Sequence, residues 1–385
     1  MTSKKSASDY WFVIDPYVYM AVTKKCSLLY NTLDGNSIES HEIEVINLLK
    51  EILQENNHGV VLLKNGRYKQ KEIQSFIHEI REKFMGDIID VSLSQCKPVQ
   101  IMPYFNYPNK RNVYKKQNLI LHENILENIS EINIYLDSSI DTVKLIHFLE
   151  SIPPKITLNI IGNIENIINI DKLLTFFQQY TSTKNLIYSY KEITFPNPTF
   201  TNLFTHKVHV SFPVDKQKWN KTMQLLLEKP FPIEYIFEVT SLNDYKKSEH
   251  IIEHFHLEKY NLKPIYTGSN IDFFKEYIFL TRKDILSTTM SIKDFFIKQS
   301  MNSSDFGKIS IMPNGDAYGN IHHPVLGNIY KHSITEIIQK EINEGVSWFR
   351  VRDKEPCNTC IYQWLCPSPS DYEIEIGYPN LCYVI

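Results

Sequence analysis

The chain has 385 residues, 43% of them apolar and 12% aromatic, and a formal net charge of −3. That is enough apolar material for two or three packed units, and the near balance of charge gives no basis for a nucleic-acid or anionic-membrane partner. Only 12 residues are glycine, and no G-x-G-x-x-G, G-x-x-x-x-G-K-[ST] or G-x-S-x-G occurs, which removes the backbone cradles of dinucleotide, P-loop and serine-hydrolase chemistry.

No apolar run approaches the ~20 residues that span a bilayer, and the start MTSKKSASDYW is charged without an apolar h-region, so a cytoplasmic location is expected. After a polar stretch from Met1 to Ser8, Tyr10 to Tyr30 reads as strands, and SLLYNTLDGNSIES reads as a hairpin turning at Asp34-Gly35. His41 to Gln54 places Ile43, Ile46, Leu49, Ile52 and Leu53 on one helical face, and Gly59 ends it before the strand VVLLK. A second helix near Lys69 to Phe84 precedes an irregular piece through Pro98, Pro103 and Pro108. Residues 1–112 form a small first unit of hairpin, helices and wing.

From about Lys115 short strands and helices alternate. The strands are INIYL (132–136), KITLNII (155–161), NLIYS (185–189), KVHVSF (207–212), IEYIFEV (233–239) and KPIYT (263–267), most of them followed by a helix. Six strands in such a series imply a parallel sheet with right-handed crossovers, open or a partial barrel, over 113–300. Active sites in such folds lie at the C-terminal strand ends.

The third unit, 301–385, begins with GKISIMPNGDAYGNI, a strand, turn and strand about Asn314-Gly315, and continues with a helix from Ser333 to Asn343. Trp348 and Trp364 read as packing residues. Its end holds four of the six cysteines: Cys357 and Cys360 as C-x2-C, then Cys366 and Cys382. Four thiolates are what a tetrahedral metal ion or a cubane cluster requires, and a reducing compartment favours metal over disulfides. A single C-x2-C knuckle followed by irregular gaps points to iron and sulfur ahead of a zinc ribbon.

Other candidates compete. His250, Glu253 and His254 fit H-x-x-E-H, the inverted zincin pattern of a zinc-dependent hydrolase, although a solvated helix face is the simpler account. His322 and His323 share a loop and could ligate a metal. Cys26 follows two lysines but reads as a strand thiol facing the core. Cys96 has no evident role.

The third unit, with the barrel before it, resembles the radical SAM enzymes that carry a SPASM domain. The resemblance rests on MPNGDAYGNI, on Leu326-Gly327-Asn328-Ile329, and on the four cysteines in order. It implies that Cys357, Cys360, Cys366 and Cys382 hold one 4Fe-4S cluster, with structural zinc as the alternative. It also implies that a second cluster is lost, because His332 and Ser370 stand at two of its cysteine positions and the one near Gly319 and Asn320 is absent. Family members cleave SAM with C-x3-C-x2-C after the first barrel strand. Here that segment is DSSIDTV, and no cysteine lies between Cys96 and Cys357. The SAM-contacting GGE is replaced by Gly162-Asn163-Ile164-Glu165, so SAM is not expected. The first unit is similar to the winged-helix peptide-recognition domains of ribosomally made peptide pathways, where a leader peptide adds a strand to a sheet edge. The whole resembles the pseudo-radical SAM proteins of Bacteroidales peptide-modification systems. That likeness implies a catalytically inactive protein that binds a precursor peptide and assists an active radical SAM partner, its one cluster serving fold stabilisation or electron relay. A zinc-stabilised interaction scaffold is the remaining alternative.

Overall fold

A computed structural model describes residues 9–64, 66–94, 96–100, 106, 125–162, 164, 167–192, 202–227 and 232–384. The polar start, Pro103 and Pro108 in the irregular piece, and Asn163 and Glu165 of the GNIE segment lie outside the described residues.

The first part runs β1 (Tyr10–Ile14), β2 (Val18–Val22), β3 (Ser27–Asn31), β4 (Ser37–Ser40), α1 (Ile43–Ile52), β5 (Val60–Leu63), α2 (Lys71–Glu82) and β6 (Gly86–Asp90). Strands β2, β3 and β4 form an antiparallel meander. Its turn is the one expected at Asp34-Gly35: Asp34 accepts the Asn36 N–H at 2.8 Å and Gly35 takes φ +79°, a conformation glycine adopts without penalty. Strand β1 lies between β5 and β6 in a second sheet, antiparallel to both. The hairpin-helix pattern does not reveal that second sheet, because its pairings join residues far apart in the chain, from Val13↔Val60 to Tyr10↔Asp90, and no local turn signals them.

Helix α2 buries Ile73, Phe76, Ile77 and Ile80, and α1 buries Val45, Ile46, Leu48, Leu49 and Ile52, the stripes that 3.6-residue periodicity dictates. They share a core with Phe12, Val18, Met20, Leu29 and Ile38. Strand alternation sends Tyr19, Ala21, Leu28 and Tyr30 to the meander's other face. There they join a separate core with Phe295, Ile361, Tyr362, Trp364 and Leu365. The meander is thus packed on both sides, once against its own helices and once against the cysteine segment.

The central part contains β7 (Glu131–Leu136), α3 (Thr142–Glu150), β8 (Thr157–Gly162), α4 (Ile170–Gln179), β9 (Lys184–Ser189), β10 (Thr205–Ser211), α5 (Lys216–Leu227), β11 (Ile233–Val239), α6 (Leu242–Phe255), β12 (Tyr260–Pro264) and α7 (Ile271–Tyr277). The six strands pair in parallel and in chain order, as expected. The last begins at Tyr260 rather than Lys263, because its pairing with β11 starts at Tyr235↔Tyr260.

Then come α8 (Arg282–Leu286), α9 (Ile292–Ser300), β13 (Lys308–Ile311), β14 (Asp316–Tyr318), β15 (Gly327–Asn328), α10 (Ile334–Asn343) and α11 (Asp371–Ile376). The strand-turn-strand about Gly315 forms as expected, with Gly315 at φ +85°. Its first strand also pairs in parallel with β7. One nine-stranded sheet results, in the order β12-β11-β10-β9-β8-β7-β13-β14-β15, with β12 and β15 at its edges. The architecture is mixed α/β with a large, mostly parallel sheet.

Helices cover one face of this sheet. Ile132, Ile134, Leu158 and Ile160 pack against Leu145, Phe148, Leu173 and Phe177; Val208, Val210, Tyr235 and Phe237 pack against Trp219, Met223 and Leu226. The opposite face mixes polar side chains with Tyr135, Ile161, Ile187 and Ile236. Near its N-terminal strand ends, Asn185 donates to Asn159 at 2.7 Å, and Asn159 donates to Asn133 and Glu131 at 2.8 Å each. These amides satisfy one another, which is the condition for burying them.

Among the described residues no helix is long and apolar enough to cross a membrane.

Candidate metal centre

The four cysteines, at 357, 360, 366 and 382, close on one place. Cys357 opens a 3-10 turn (Cys357–Thr359), and the Cys360 N–H returns to the Cys357 carbonyl at 3.1 Å, so the C-x2-C pair faces one way. Cys366 follows a tight turn in which its N–H reaches the Tyr362 carbonyl at 3.0 Å. Cys382 is brought back by a short parallel bridge to Leu280. All four line a single cavity, with Leu280, Ile285, Leu381 and Val384 as its apolar wall and Arg352, Gln363 and Asn380 at its edge.

Three of the sulfurs have donors. Arg352 Nη1 lies 3.7 Å from Cys357 Sγ, the Tyr362 N–H points at Cys360 Sγ at 3.3 Å, and Asn380 Nδ2 donates to Cys382 Sγ at 3.1 Å. Burial pushes the Cys360 thiol up to about 11 and the Cys366 thiol up to about 12, and it raises Cys357 as well, with Arg352 opposing. Clustered thiols so far from water are poor anions unless something positive binds them.

Positive charge is also supplied by the protein. The Arg352 guanidinium, held at 2.9 Å by the buried Glu373 carboxylate, sits beside Cys357 and Cys366. Lys298 donates to the Leu365 carbonyl at 2.9 Å, and burial brings its ammonium down to about 8 against the pull of Cys366 and Asp294. Four thiolates around a 4Fe-4S core or a zinc ion would carry two net negative charges, and these two cations would stand next to them.

The donor set fits a metal group by its chemistry. Among the described residues no group of three or more His, Cys, Asp or Glu side chains stands in a position to hold a metal ion. The cavity between the thiols is about 10 Å³, the room of one water, so either group needs the thiols to turn. A cubane cluster takes each thiolate on a different iron and tolerates wide spacing, whereas zinc needs all four sulfurs within about 2.3 Å of one point.

The surroundings of Asn320 and Ser370 are built differently. Asn320 donates to Asp305 at 3.1 Å and to Asp371 at 2.7 Å, and Arg350 Nη2 lies 3.2 Å from both carboxylates. Arg350 Nη1 donates to the Ser370 carbonyl, and the Ser370 N–H starts α11 by donating to Glu373 at 2.6 Å. Burial raises the Asp305 carboxyl, with Arg350 pulling the other way. His332 is elsewhere, its Nδ1 accepting from the Asn328 N–H at 3.1 Å. An open cleft of about 1290 Å³ is lined by His323 and Arg350 on this side and by Arg352 and Cys357 on the other.

The remaining sequence candidates do not assemble. His250 and His254 stack with ring centroids 6.1 Å apart on the exposed face of α6, with Glu253 also exposed. The zincin pattern is a solvated stripe, since Ile251, Ile252 and Phe255 turn inward. His322 lies 3.5 Å from Glu375, while His323 bonds Ser347 at 2.8 Å, so the two do not converge. Cys26 is not on a strand. It sits in the turn before β3, where Thr23 Oγ1 takes its N–H at 3.1 Å, and it packs in the core that holds Cys360 and Cys366. Cys96 is exposed. Trp348 is fully buried and Trp364 nearly so.

Sequence reasoning does not find Arg352, Lys298, Asn380 or the Arg350 network. Arg352 and Asn380 lie five and two residues before cysteines, but nothing in a single sequence distinguishes them from surface residues. Lys298 reaches the site from another helix.

No protein-family model matches the chain, and no curated protein matches it. Two crystal structures of SuiB from Streptococcus suis are similar over nearly its whole length. The one bound to S-adenosylmethionine shares 12% identity over 96% of this chain and 98% of its own, with a TM-score of 0.42. The other shares 13% over 95% and 97%, also at 0.42. At this identity and TM-score the likeness carries no statement about what the chain does.

Proposed function

We propose that the chain is a catalytically inactive radical SAM homologue that holds one 4Fe-4S cluster at Cys357, Cys360, Cys366 and Cys382, binds a ribosomally made precursor peptide, and presents it to an active radical SAM enzyme. The observation that carries this reading is a contrast. Four thiols close on one cavity in the C-terminal part, while the end of β7, where SAM cleavage would need three thiolates, continues into a turn in which Asp137 Oδ1 accepts the Ser139 N–H at 2.7 Å. A cluster with four protein ligands supplies rigidity or one-electron transfer and leaves no open iron for a substrate.

Support for peptide binding comes from the meander's edges. The β2 edge is taken: Asn106 accepts the Met20 N–H and donates to the Val18 carbonyl, both at 2.8 Å, as a neighbouring strand would. Strand β4 pairs only with β3 among the described residues; on its outer side Lys83 Nζ donates to the Ser37 carbonyl at 2.8 Å, a contact an added strand would displace. The same strand touches the cysteine segment, since Glu39 bonds Tyr362 and lies 2.7 Å from Arg282.

The test is Ser37→Pro. Antiparallel alternation from Asn31–Asn36 makes Tyr30↔Ser37 a non-hydrogen-bonded pair, so the lost N–H points outward and the β3–β4 ladder survives. Binding of a precursor peptide encoded beside this chain, followed by fluorescence anisotropy, should weaken at least tenfold. Unchanged binding would remove β4 as the docking edge. Formation of 5′-deoxyadenosine from SAM by the reconstituted protein under reducing conditions would refute catalytic inactivity.

A further inference from the structure

The face of the large sheet opposite the helices carries polar groups at both ends of its strands. At the N-terminal ends these are the asparagines that satisfy one another and the Lys207–Glu234 and Lys308–Glu131 ion pairs. At the C-terminal ends of β10 to β12 they are Ser211, Glu238 and Lys263. Parallel register places Ser211 beside Glu238 and Glu238 beside Lys263, with His209 two residues below Ser211 on the same face. His209 Nδ1 bonds Glu238 Oε1 at 2.8 Å, and Lys191, just beyond β9, donates to Ser211 Oγ at 3.1 Å. His209 and Glu238 are partly buried, with side chains 24% and 29% exposed, while Lys191 and Lys263 are exposed.

We propose that this cluster is a binding site for a ligand bearing a single carboxylate, held by Lys191, Lys263 and Ser211 and bounded by the His209–Glu238 pair. With the His209 ring in its neutral form, two ammonium groups face one carboxylate, which leaves one positive charge to be matched. A monoanion matches it; a phosphate dianion would meet Glu238 with a second charge to repel. Glu238 is engaged by His209, so the lysines are not drawn into tight pairs with it; Lys191 instead holds a hydroxyl that can turn its own proton toward an acceptor. The location is the one where open α/β sheets accept ligands. The site is separate from the cysteines and stands whether or not the peptide-presenting role holds.

The experiment uses full-length protein with 13C-labelled histidine, His209 being assigned by the signal missing in His209→Gln. N-acetylglycine is titrated against N-acetylglycinamide and inorganic phosphate. The expected result is a saturable shift of the His209 ring signal with N-acetylglycine alone, weakened about tenfold or more in Lys191→Ala/Lys263→Ala. Ser211→Ala, which deletes only a hydroxyl, should weaken it less. Equal shifts with the amide, tighter binding of phosphate, no shift with any probe, or undiminished binding in the double variant would each overturn the proposal.

Discussion

Two neighbouring places in the C-terminal part deal with burial in opposite ways. Around Arg350, two carboxylates, one guanidinium and one amide largely satisfy each other, and Arg350 Nε is the one guanidinium nitrogen left without a partner. Around Cys366, clustered thiols have only a few weak donors, and burial pushes Cys357, Cys360 and Cys366 toward their neutral forms. The first place is nearly complete as it stands. The second is left with few partners for its thiols. The Asn320, Asp305, Arg350 and Asp371 network ties α11 to β13's neighbourhood by charge.

The largest effect that would break this contrast is loss of a thiol. Cys366→Ala should abolish metal retention and lower the unfolding midpoint of the loaded protein by about 10 °C or more, because metal binding free energy is folding free energy. Glu373→Ala comes next. It leaves the buried Arg352 unpaired, and urea unfolding should show a loss of about 3–5 kcal/mol; iron content should fall with it, since Arg352 is then free to swing from Cys357. Arg350→Met should cost less, about 1–3 kcal/mol by the same measurement, and leave iron content unchanged. Equal iron loss in Arg350→Met and Glu373→Ala would erase the distinction between the two places.

The smallest effect concerns acid. The Glu238 carboxyl is held below its ordinary range, chiefly by the hydrogen bond from His209. A lowered folded pKa contributes stability above the unfolded carboxylate range and loses it as pH falls through the folded value. His209→Gln should therefore be less stable than wild type near about pH 6, and the two urea midpoints should converge as the carboxylate protonates.

The strands of the sheet, the Asp34-Gly35 and Gly315 turns and both N-terminal helices were legible because each is encoded locally, by alternation, by a glycine at positive φ or by an apolar stripe. The four cysteines were legible because their chemistry is rare enough to stand out. The β1 sheet, the joining of β13 to β7, and the packing of Tyr19 and Tyr30 against Phe295 were not, since they depend on contacts between segments distant in the chain, with no local signal to announce them. The same holds for Lys298 and Arg352, whose partners are set by tertiary structure alone. The H-x-x-E-H pattern misleads for the opposite reason: spacing puts two histidines on one face but cannot say whether that face meets solvent.

The central claim is that the four thiols hold a cluster. Iron and sulfide should be quantified, with the visible spectrum, on anaerobically reconstituted wild type beside Cys360→Ala. The account predicts about four irons and four sulfides per chain with broad absorbance near about 400 nm, all lost in the variant. About one zinc without colour, or equal iron in both proteins, would contradict it.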